Sequence, residues 1–71
     1  TRPNTNTAVM QNNGPWWVGW IEEIPGINCQ ERTREQLAES LREALGEMIA
    51  LNREEARKRA LPGFVEEPIL A

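Results

Sequence analysis

All three tryptophans of this chain lie in one run of six residues, Trp16 to Ile21. The run is rich in aromatic and β-branched residues, which favour a strand, and successive side chains of a strand point to opposite faces of its sheet. One face therefore carries Trp16, Val18 and Trp20, and the other carries Trp17, Gly19 and Ile21. Because both faces carry tryptophan, the run predicts a strand with at least one indole ring outside the main core.

The length of the chain limits the core that can form around this strand. With 71 residues the chain forms at most one small domain, and such domains bury only about 60% of the surface of the unfolded chain. Cys29 is the only cysteine and there is no His, which excludes an intrachain disulfide and the ordinary zinc motifs. We therefore predict no metal and no cofactor, and we expect a homodimer or higher homo-oligomer to add stability.

Turn residues on either side of the tryptophan run predict two further strands. Residues 7–11 alternate as expected of a half-buried strand, and residues 12–14, Asn-Asn-Gly, are typical of a hairpin. After the run, Pro25-Gly26 predicts a type II turn. Residues 27–30 then predict a short third strand, with Ile27 and Cys29 on its inward face.

A single helix is predicted after these strands. Thr33, followed three residues later by Gln36, matches a capping box. Apolar residues then recur at helical spacing, at Leu37, Leu41, Ala44, Leu45, Met48 and Leu51. We expect this stripe to lie on the sheet, against either face of the tryptophan strand. Residues 53–61 either continue the helix or form a second turn, and Pro62-Gly63 ends it.

Two glycines inside these elements predict close packing. Gly19 lies in the interior of a strand, which indicates a bulge or the close approach of another backbone or ring. Packing by a neighbouring tryptophan is the simpler interpretation. Gly46 costs about 1 kcal/mol relative to Ala inside a helix, so it predicts a close helix crossing.

The two ends of the chain carry weaker patterns. Residues 1–7 predict a disordered lead-in with little apolar surface to bury. Residues 64–70 predict either a short fourth strand, confined to an edge by Pro68, or an irregular tail. The order of elements predicts one α+β domain over residues 8–71, with a three- or four-stranded antiparallel sheet and one amphipathic helix packed on it.

Reactive side chains are few. The chain has no His, Asp or Tyr, so Ser40 has no partner for nucleophilic catalysis. Cys29 is interpreted as a buried inert thiol. The pairs Glu22-Glu23 and Glu66-Glu67 are adjacent residues, whose side chains diverge in a strand and are not placed to share a proton or a metal. We predict no catalytic residue and a protein that is not an enzyme.

The charge and hydropathy of the chain disfavour two classes of binding partner, nucleic acids and membranes. With 8 basic and 11 acidic side chains, the net charge is −3, which disfavours direct nucleic-acid binding. No stretch approaches the roughly 18 apolar residues of a membrane helix, so no membrane contact is expected and the cytoplasm is the expected compartment.

Charged residues form two groups along the predicted helix. One ridge consists of four glutamates at i,i+4 spacing, Glu35, Glu39, Glu43 and Glu47. Such neighbours repel. The ridge is therefore either a solvated face, whose repulsion Arg42 and Arg32 reduce, or a surface for a basic partner. The second group is a basic cluster, Arg53, Arg57, Lys58 and Arg59. Its simplest interpretation is favourable placement of cations near a helix carboxyl terminus.

The tryptophans are better suited to packing than to stacking on bases, because the chain is acidic. Tryptophan is enriched in cores and at protein interfaces. If the helix covers the face of Trp16 and Trp20, then Trp17 lies on the uncovered face. We therefore predict Trp17, together with Val9, in an oligomer interface.

The chain resembles the HicB family of antitoxins over about residues 8–52. The resemblance rests on four features in order: the aromatic strand of residues 16–21, the turn Glu23-Ile24-Pro25-Gly26, the short strand ending in Gln30, and the amphipathic helix capped by Thr33. It implies a degenerate RNase H-like fold without nuclease activity. Relatives bind a small mRNA-cleaving toxin with a double-stranded-RNA-binding-like fold and block its active site by contact.

The resemblance also implies which surfaces matter. Longer relatives add a DNA-binding domain, but the residues after Asn52 are too few for one, so we expect no operator binding. If the chain is an antitoxin, Glu22, Glu23, Glu39 and Glu43 should meet the basic RNA-binding face of a HicA-like toxin. The alternative is an orphan homo-oligomeric domain with a structural or regulatory binding role and no toxin.

Overall fold

Three strands followed by one helix make up the computed structural model, which describes residues 6–69. The strands are β1 (Ala8–Asn13), β2 (Trp16–Ile21) and β3 (Ile24–Glu31), and the helix is α1 (Arg34–Lys58). The sheet is antiparallel throughout, with β2 in the centre. This arrangement confirms the predicted α+β class, with one helix packed on a three-stranded sheet.

Two-residue loops join the strands. In the first hairpin Asn13 pairs with Trp16, so the loop is Gly14-Pro15, and Gly14 has a φ of 64°, which favours glycine. In the second hairpin Ile21 pairs with Ile24, which leaves Glu22-Glu23 as the loop. The hairpin predicted at the Asn-Asn-Gly segment is therefore confirmed.

The predicted turn at Pro25-Gly26 is wrong, because both residues belong to β3. The register shifts here: Ile21 pairs with Ile24, whereas its neighbour Trp20 pairs with Asn28. The intervening residues of β3 have no partner on β2 and form a bulge, in which Gly26 has a φ of 93°. The positive φ that the sequence indicates is thus used inside a strand, and β3 begins at Ile24 rather than at Ile27.

The helix covers the sheet face that carries Gly19 and Ile21. Four side chains of the described residues are buried and form the core: Ile21, Ile27, Leu37 and Leu41. Partly buried side chains surround it: Met10, Trp17, Ile24, Cys29, Ala44, Leu45 and Met48. A methyl carbon placed on Gly19 would lie 3.1 Å from Leu37 Cδ2 and 3.1 Å from Leu41 Cδ1. The missing side chain therefore admits the helix, rather than a neighbouring indole ring.

The start of the helix is fixed by Thr33. The Thr33 side chain accepts a hydrogen bond of 3.0 Å from the Gln36 backbone N–H, and its carbonyl accepts one of 3.0 Å from the Leu37 N–H. The predicted N-cap is therefore confirmed. One turn further on, the Ser40 hydroxyl donates to Glu31 Oε2 at 2.7 Å, which links α1 to the end of β3.

The second half of α1 extends beyond the sheet. The helix has 25 residues and is about 37 Å long, and every residue from Leu51 to Arg59 is exposed. Residues 53–58 thus continue the helix, one of the two alternatives that the sequence left open. A methyl group at Gly46 would meet nothing within 4 Å, so the predicted close crossing at this residue is wrong for the described part of the chain.

The carboxyl-terminal segment forms no fourth strand over residues 64–69, and Leu70 lies outside the described residues. Gly63 has a φ of 89°, and the chain then turns back so that Arg57 Nε lies 3.3 Å from Glu66 Oε2. Of the two predicted alternatives, the irregular tail is correct. Pro68 lacks an N–H for a ladder, and the overhanging helix carries this segment past the sheet.

The amino-terminal segment is only partly described, because residues 1–5 of the predicted lead-in lie outside the described residues. Thr7 is held at both backbone groups. Its carbonyl accepts a 2.9 Å hydrogen bond from the Glu22 N–H, and its N–H donates to Glu23 Oε1 at 2.7 Å. Ordered structure therefore begins before Ala8.

Candidate protein-interaction surfaces

Two surfaces on opposite sides of the molecule are candidates for binding, because α1 covers only one face of the sheet. The first is the other face of the sheet, which we call the open sheet face. The second is the solvent side of α1, which carries the glutamate ridge. A layer of sheet and a layer of helix separate them, so one molecule can use both at once.

The open sheet face is defined by the strand register. Residues paired across an antiparallel sheet point to the same side, and Val9 pairs with Trp20, which in turn pairs with Asn28. The face therefore consists of Val9, Gln11, Asn13, Trp16, Val18, Trp20, Asn28 and Gln30. It contains no carboxylate, and the Trp20 side chain is 38% exposed. The Arg32 guanidinium closes one end, 4.3 Å from the centre of a Trp16 ring.

The premise for placing Trp17 in an oligomer interface is wrong. Trp17 lies on the same side as Gly19 and packs against the core under α1. The helix lies on this side, where Gly19 leaves room for Leu37 and Leu41. Val9, the other residue predicted for the interface, does lie on the open sheet face and is half-buried.

The middle of the glutamate ridge, Glu39 and Glu43, faces solvent away from the sheet. Residues two positions apart on a helix point about 200° apart, so Glu39 and Glu43 lie opposite the buried Leu41. All four glutamates of the ridge are exposed. Within the described residues only Glu39 has an ion pair, with Arg42 at 2.6 Å. Arg32 does not soften the ridge, because its guanidinium lies over Trp16.

Glu22 and Glu23 occupy the loop between β2 and β3, and no described contact joins them to Glu39 or Glu43. The two carboxylates of the loop differ in their surroundings. Glu23 Oε1 accepts the hydrogen bond from the Thr7 N–H, which lowers the pKa of the Glu23 carboxyl below its ordinary value and outweighs the small opposing effect of desolvation. The Glu22 carboxylate accepts no hydrogen bond within residues 6–69.

Replacing Glu23 with glutamine is expected to weaken the pH dependence of stability. A carboxyl whose folded pKa is lowered stabilises the fold above its unfolded pKa, and this contribution is lost as the pH falls through the folded value. Urea unfolding of the wild type should therefore lose stability below about pH 4.3, the ordinary range of Glu, more steeply than Glu23→Gln does. Equal slopes for the wild type and Glu23→Gln would contradict the contact with Thr7.

Two of the four residues of the basic cluster are paired with acids. Lys58 Nζ lies 3.4 Å from Glu54 and 3.8 Å from Glu55, and Arg57 pairs with Glu66. Arg57 and Lys58 occupy the last turn of α1, where cations interact favourably with the helix dipole. This placement agrees with the interpretation of the cluster as a helix terminus.

The described residues offer little for covalent or metal chemistry. They include no cluster of three or more His, Cys, Asp or Glu side chains that could hold a metal ion. Cys29 is half-buried on the helix side of the sheet, and burial, with a smaller contribution from Glu31, raises the pKa of its thiol. The thiol is therefore protonated at neutral pH. None of the helical structure within residues 6–69 has the length and apolar character needed to cross a bilayer.

Two contacts in the structure could not be predicted from a local sequence pattern. The ring of Trp16 is covered by Arg32, which follows β3, and Ser40 is tied to Glu31. Only the strand register brings Arg32 and Trp16 together.

No family model, no curated protein and no solved structure matches this chain.

Proposed function

We propose that this chain is an antitoxin-type protein of the cytoplasm, which binds a small basic mRNA-cleaving toxin and blocks it by direct contact. It has no catalytic activity of its own in this proposal. The observation that carries the proposal is the glutamate ridge on the solvent side of α1. The resemblance to the HicB family adds to it, because the fold that this resemblance implies agrees with the sheet and single helix described above.

The ridge favours the binding of a basic partner, because its neighbouring glutamates destabilise the helix unless cations lie close to them. Like charges at i,i+4 repel and destabilise an isolated helix, and one ion pair, to Arg42, offsets part of this repulsion. A protein surface that holds RNA phosphates presents Lys and Arg side chains, and exposed carboxylates can pair with them. Inhibition is then both steric and electrostatic, since the ridge covers the cations that would otherwise bind RNA.

Co-expression tests this proposal directly. The partner to use is the product of a small basic reading frame beside the gene, with affinity purification through a tag on this chain. The expected result is a stable complex in which the partner no longer cleaves a reporter mRNA. A partner that cleaves mRNA equally well in the presence of excess antitoxin-type chain would contradict the proposal.

Charge reversal on the ridge is expected to slow association with that partner. Electrostatic steering changes association rates by about tenfold or more at low ionic strength, so the double variant Glu39→Lys with Glu43→Lys should associate about tenfold more slowly there. Its rate should also respond less to added salt. Surface plasmon resonance at low and physiological salt measures both effects.

The matched control carries the same change in net charge away from the ridge. Glu66→Lys with Glu67→Lys places two lysines on the exposed tail and should associate at close to the wild-type rate. The pair Glu22→Lys with Glu23→Lys tests the β2–β3 loop in the same way. If all these variants associate like the wild type at low salt, the acidic contact is refuted and the apolar sheet face becomes the better explanation of binding.

A second candidate function is a homo-oligomeric binding domain without a toxin. Trp20, which is exposed on the open sheet face, favours it, because this face provides a contact surface that does not require a basic partner. This candidate predicts self-association and no inhibition of the neighbouring gene's product, so the co-expression experiment separates the two.

A further inference from the structure

We infer that the open sheet face is a docking site for a second copy of this chain, with the two sheets packed face to face around a two-fold axis. The inference is independent of the proposed function, since it uses the side of the molecule opposite the glutamate ridge. In this inference the oligomer interface contains Trp16, Val18 and Trp20, and not Trp17 as the sequence predicts.

The composition of this face is unusual for a solvated one. Antiparallel sheets that face water on one side carry polar residues there, whereas the central strand here presents Trp16, Val18 and Trp20. Trp20 is 38% exposed, and within residues 6–69 no element lies over it. Tryptophan is enriched at protein interfaces, so this face is a candidate contact surface.

Charge selects a second copy as the occupant. The chain has a net charge of −3, so two copies repel through most of their surfaces. Among residues 6–69 the open sheet face carries no carboxylate, and the Arg32 guanidinium at its end lies over Trp16. This is the side on which two like-charged copies can approach without bringing acids together.

The polar residues of the face are compatible with two-fold symmetry. In a symmetric dimer the same patch meets itself, so any group must find its partner among copies of the same residues. Asparagine and glutamine satisfy this condition because each amide both donates and accepts hydrogen bonds. The amides flanking the tryptophans are Gln11, Asn13, Asn28 and Gln30.

The size of the face sets the expected affinity. The six residues of β2 span about 20 Å, and three strands side by side span about 14 Å. The open sheet face therefore has a flat area of roughly 300 Å². Stable dimers bury about 800 Å² per partner. The face is smaller than this, so we expect a weak, reversible dimer, in an orientation that leaves both glutamate ridges exposed for partners.

Sedimentation equilibrium of the full chain tests the inference. Between about 1 and about 100 µM, the wild type should pass from monomer toward dimer, and its melting temperature should rise with concentration. Trp20→Glu should raise the dissociation constant at least about tenfold, because a carboxylate from each copy would be buried near the other without a partner. Val18→Lys, a second variant at the centre of the face, should do the same.

The control is Leu51→Glu, which places the same charge on an exposed leucine of the overhanging helix. It should leave the dissociation constant unchanged, and circular dichroism should show all variants folded. A wild type that is monomeric throughout this range overturns the inference. So does a dimer that survives both Trp20→Glu and Val18→Lys, which would place the contact at a sheet edge or on α1. Quenching of tryptophan fluorescence by oligouridine would instead assign the face to single-stranded nucleic acid.

Discussion

Leu41→Ala is expected to lower the free energy of unfolding by about 2–5 kcal/mol, the usual range for deleting a buried leucine side chain. Leu41 is 1% exposed and lies in the contact between α1 and β2, beside Gly19. Its truncation leaves a cavity that glycine cannot fill, and the surrounding backbone is held by the strand ladder. Urea unfolding followed by tryptophan fluorescence measures the change.

Leu51→Ala is the matched control, since it makes the same chemical change where the side chain is 53% exposed. Exposed positions usually change stability by no more than about 0.5 kcal/mol. Both variants should be measured at one protein concentration, because dimerisation would add to apparent stability. Equal effects of the two substitutions would mean that α1 does not pack on the sheet through Leu41.

Local signals in the sequence predict β2 and the start of α1. The aromatic run predicts β2 with the bounds that it has, and Thr33 with Gln36 predicts the N-cap of α1. The apolar stripe predicts which side of α1 is buried, since Leu37 and Leu41 are its two buried residues. Each of these signals depends on residues close together in the chain, where periodicity and capping chemistry act directly.

The choice of sheet face depended on contacts between distant residues, and the sequence left it open. Both faces of β2 carry tryptophan, so hydrophobicity does not distinguish them. The position of Gly19 distinguishes the two faces, because the absence of a side chain there lets leucines of α1 pack closely on β2. The sequence also predicts a turn at Pro25-Gly26, a common turn pair, because the strand register that makes Glu22-Glu23 the hairpin loop and places Gly26 in a bulge depends on pairing with β2.

The candidate surfaces were predicted to different degrees. Helical spacing alone places Glu39 and Glu43 on one exposed side of α1, and the structure agrees. The oligomer residues were less predictable, because Trp17 could be assigned only once the covered face was known. Val9 follows from its pairing with Trp20.

The role assigned to Gly19 leads to a second large effect: Gly19→Ala is expected to destabilise the protein by about 1–3 kcal/mol, as overpacking does. The new methyl carbon would lie 2.7 Å from the Val9 carbonyl oxygen and 3.1 Å from a methyl carbon of both Leu37 and Leu41. The leucine side chains can rotate, but the Val9 oxygen belongs to a neighbouring strand. Either β1 or α1 must therefore move.

Gly46→Ala gives the control, with the same substitution and the opposite sign. Gly46 lies in α1, where a methyl group would meet nothing within 4 Å, and alanine is favoured over glycine by up to about 1 kcal/mol in a helix interior. Removing the flexibility of glycine from the unfolded chain favours alanine at both positions, so only crowding can make Gly19→Ala destabilising. Urea unfolding should thus show a lower midpoint for Gly19→Ala and a higher one for Gly46→Ala. A higher midpoint for both would mean that the helix does not approach β2 at Gly19, and the reason for α1 choosing that face would be lost.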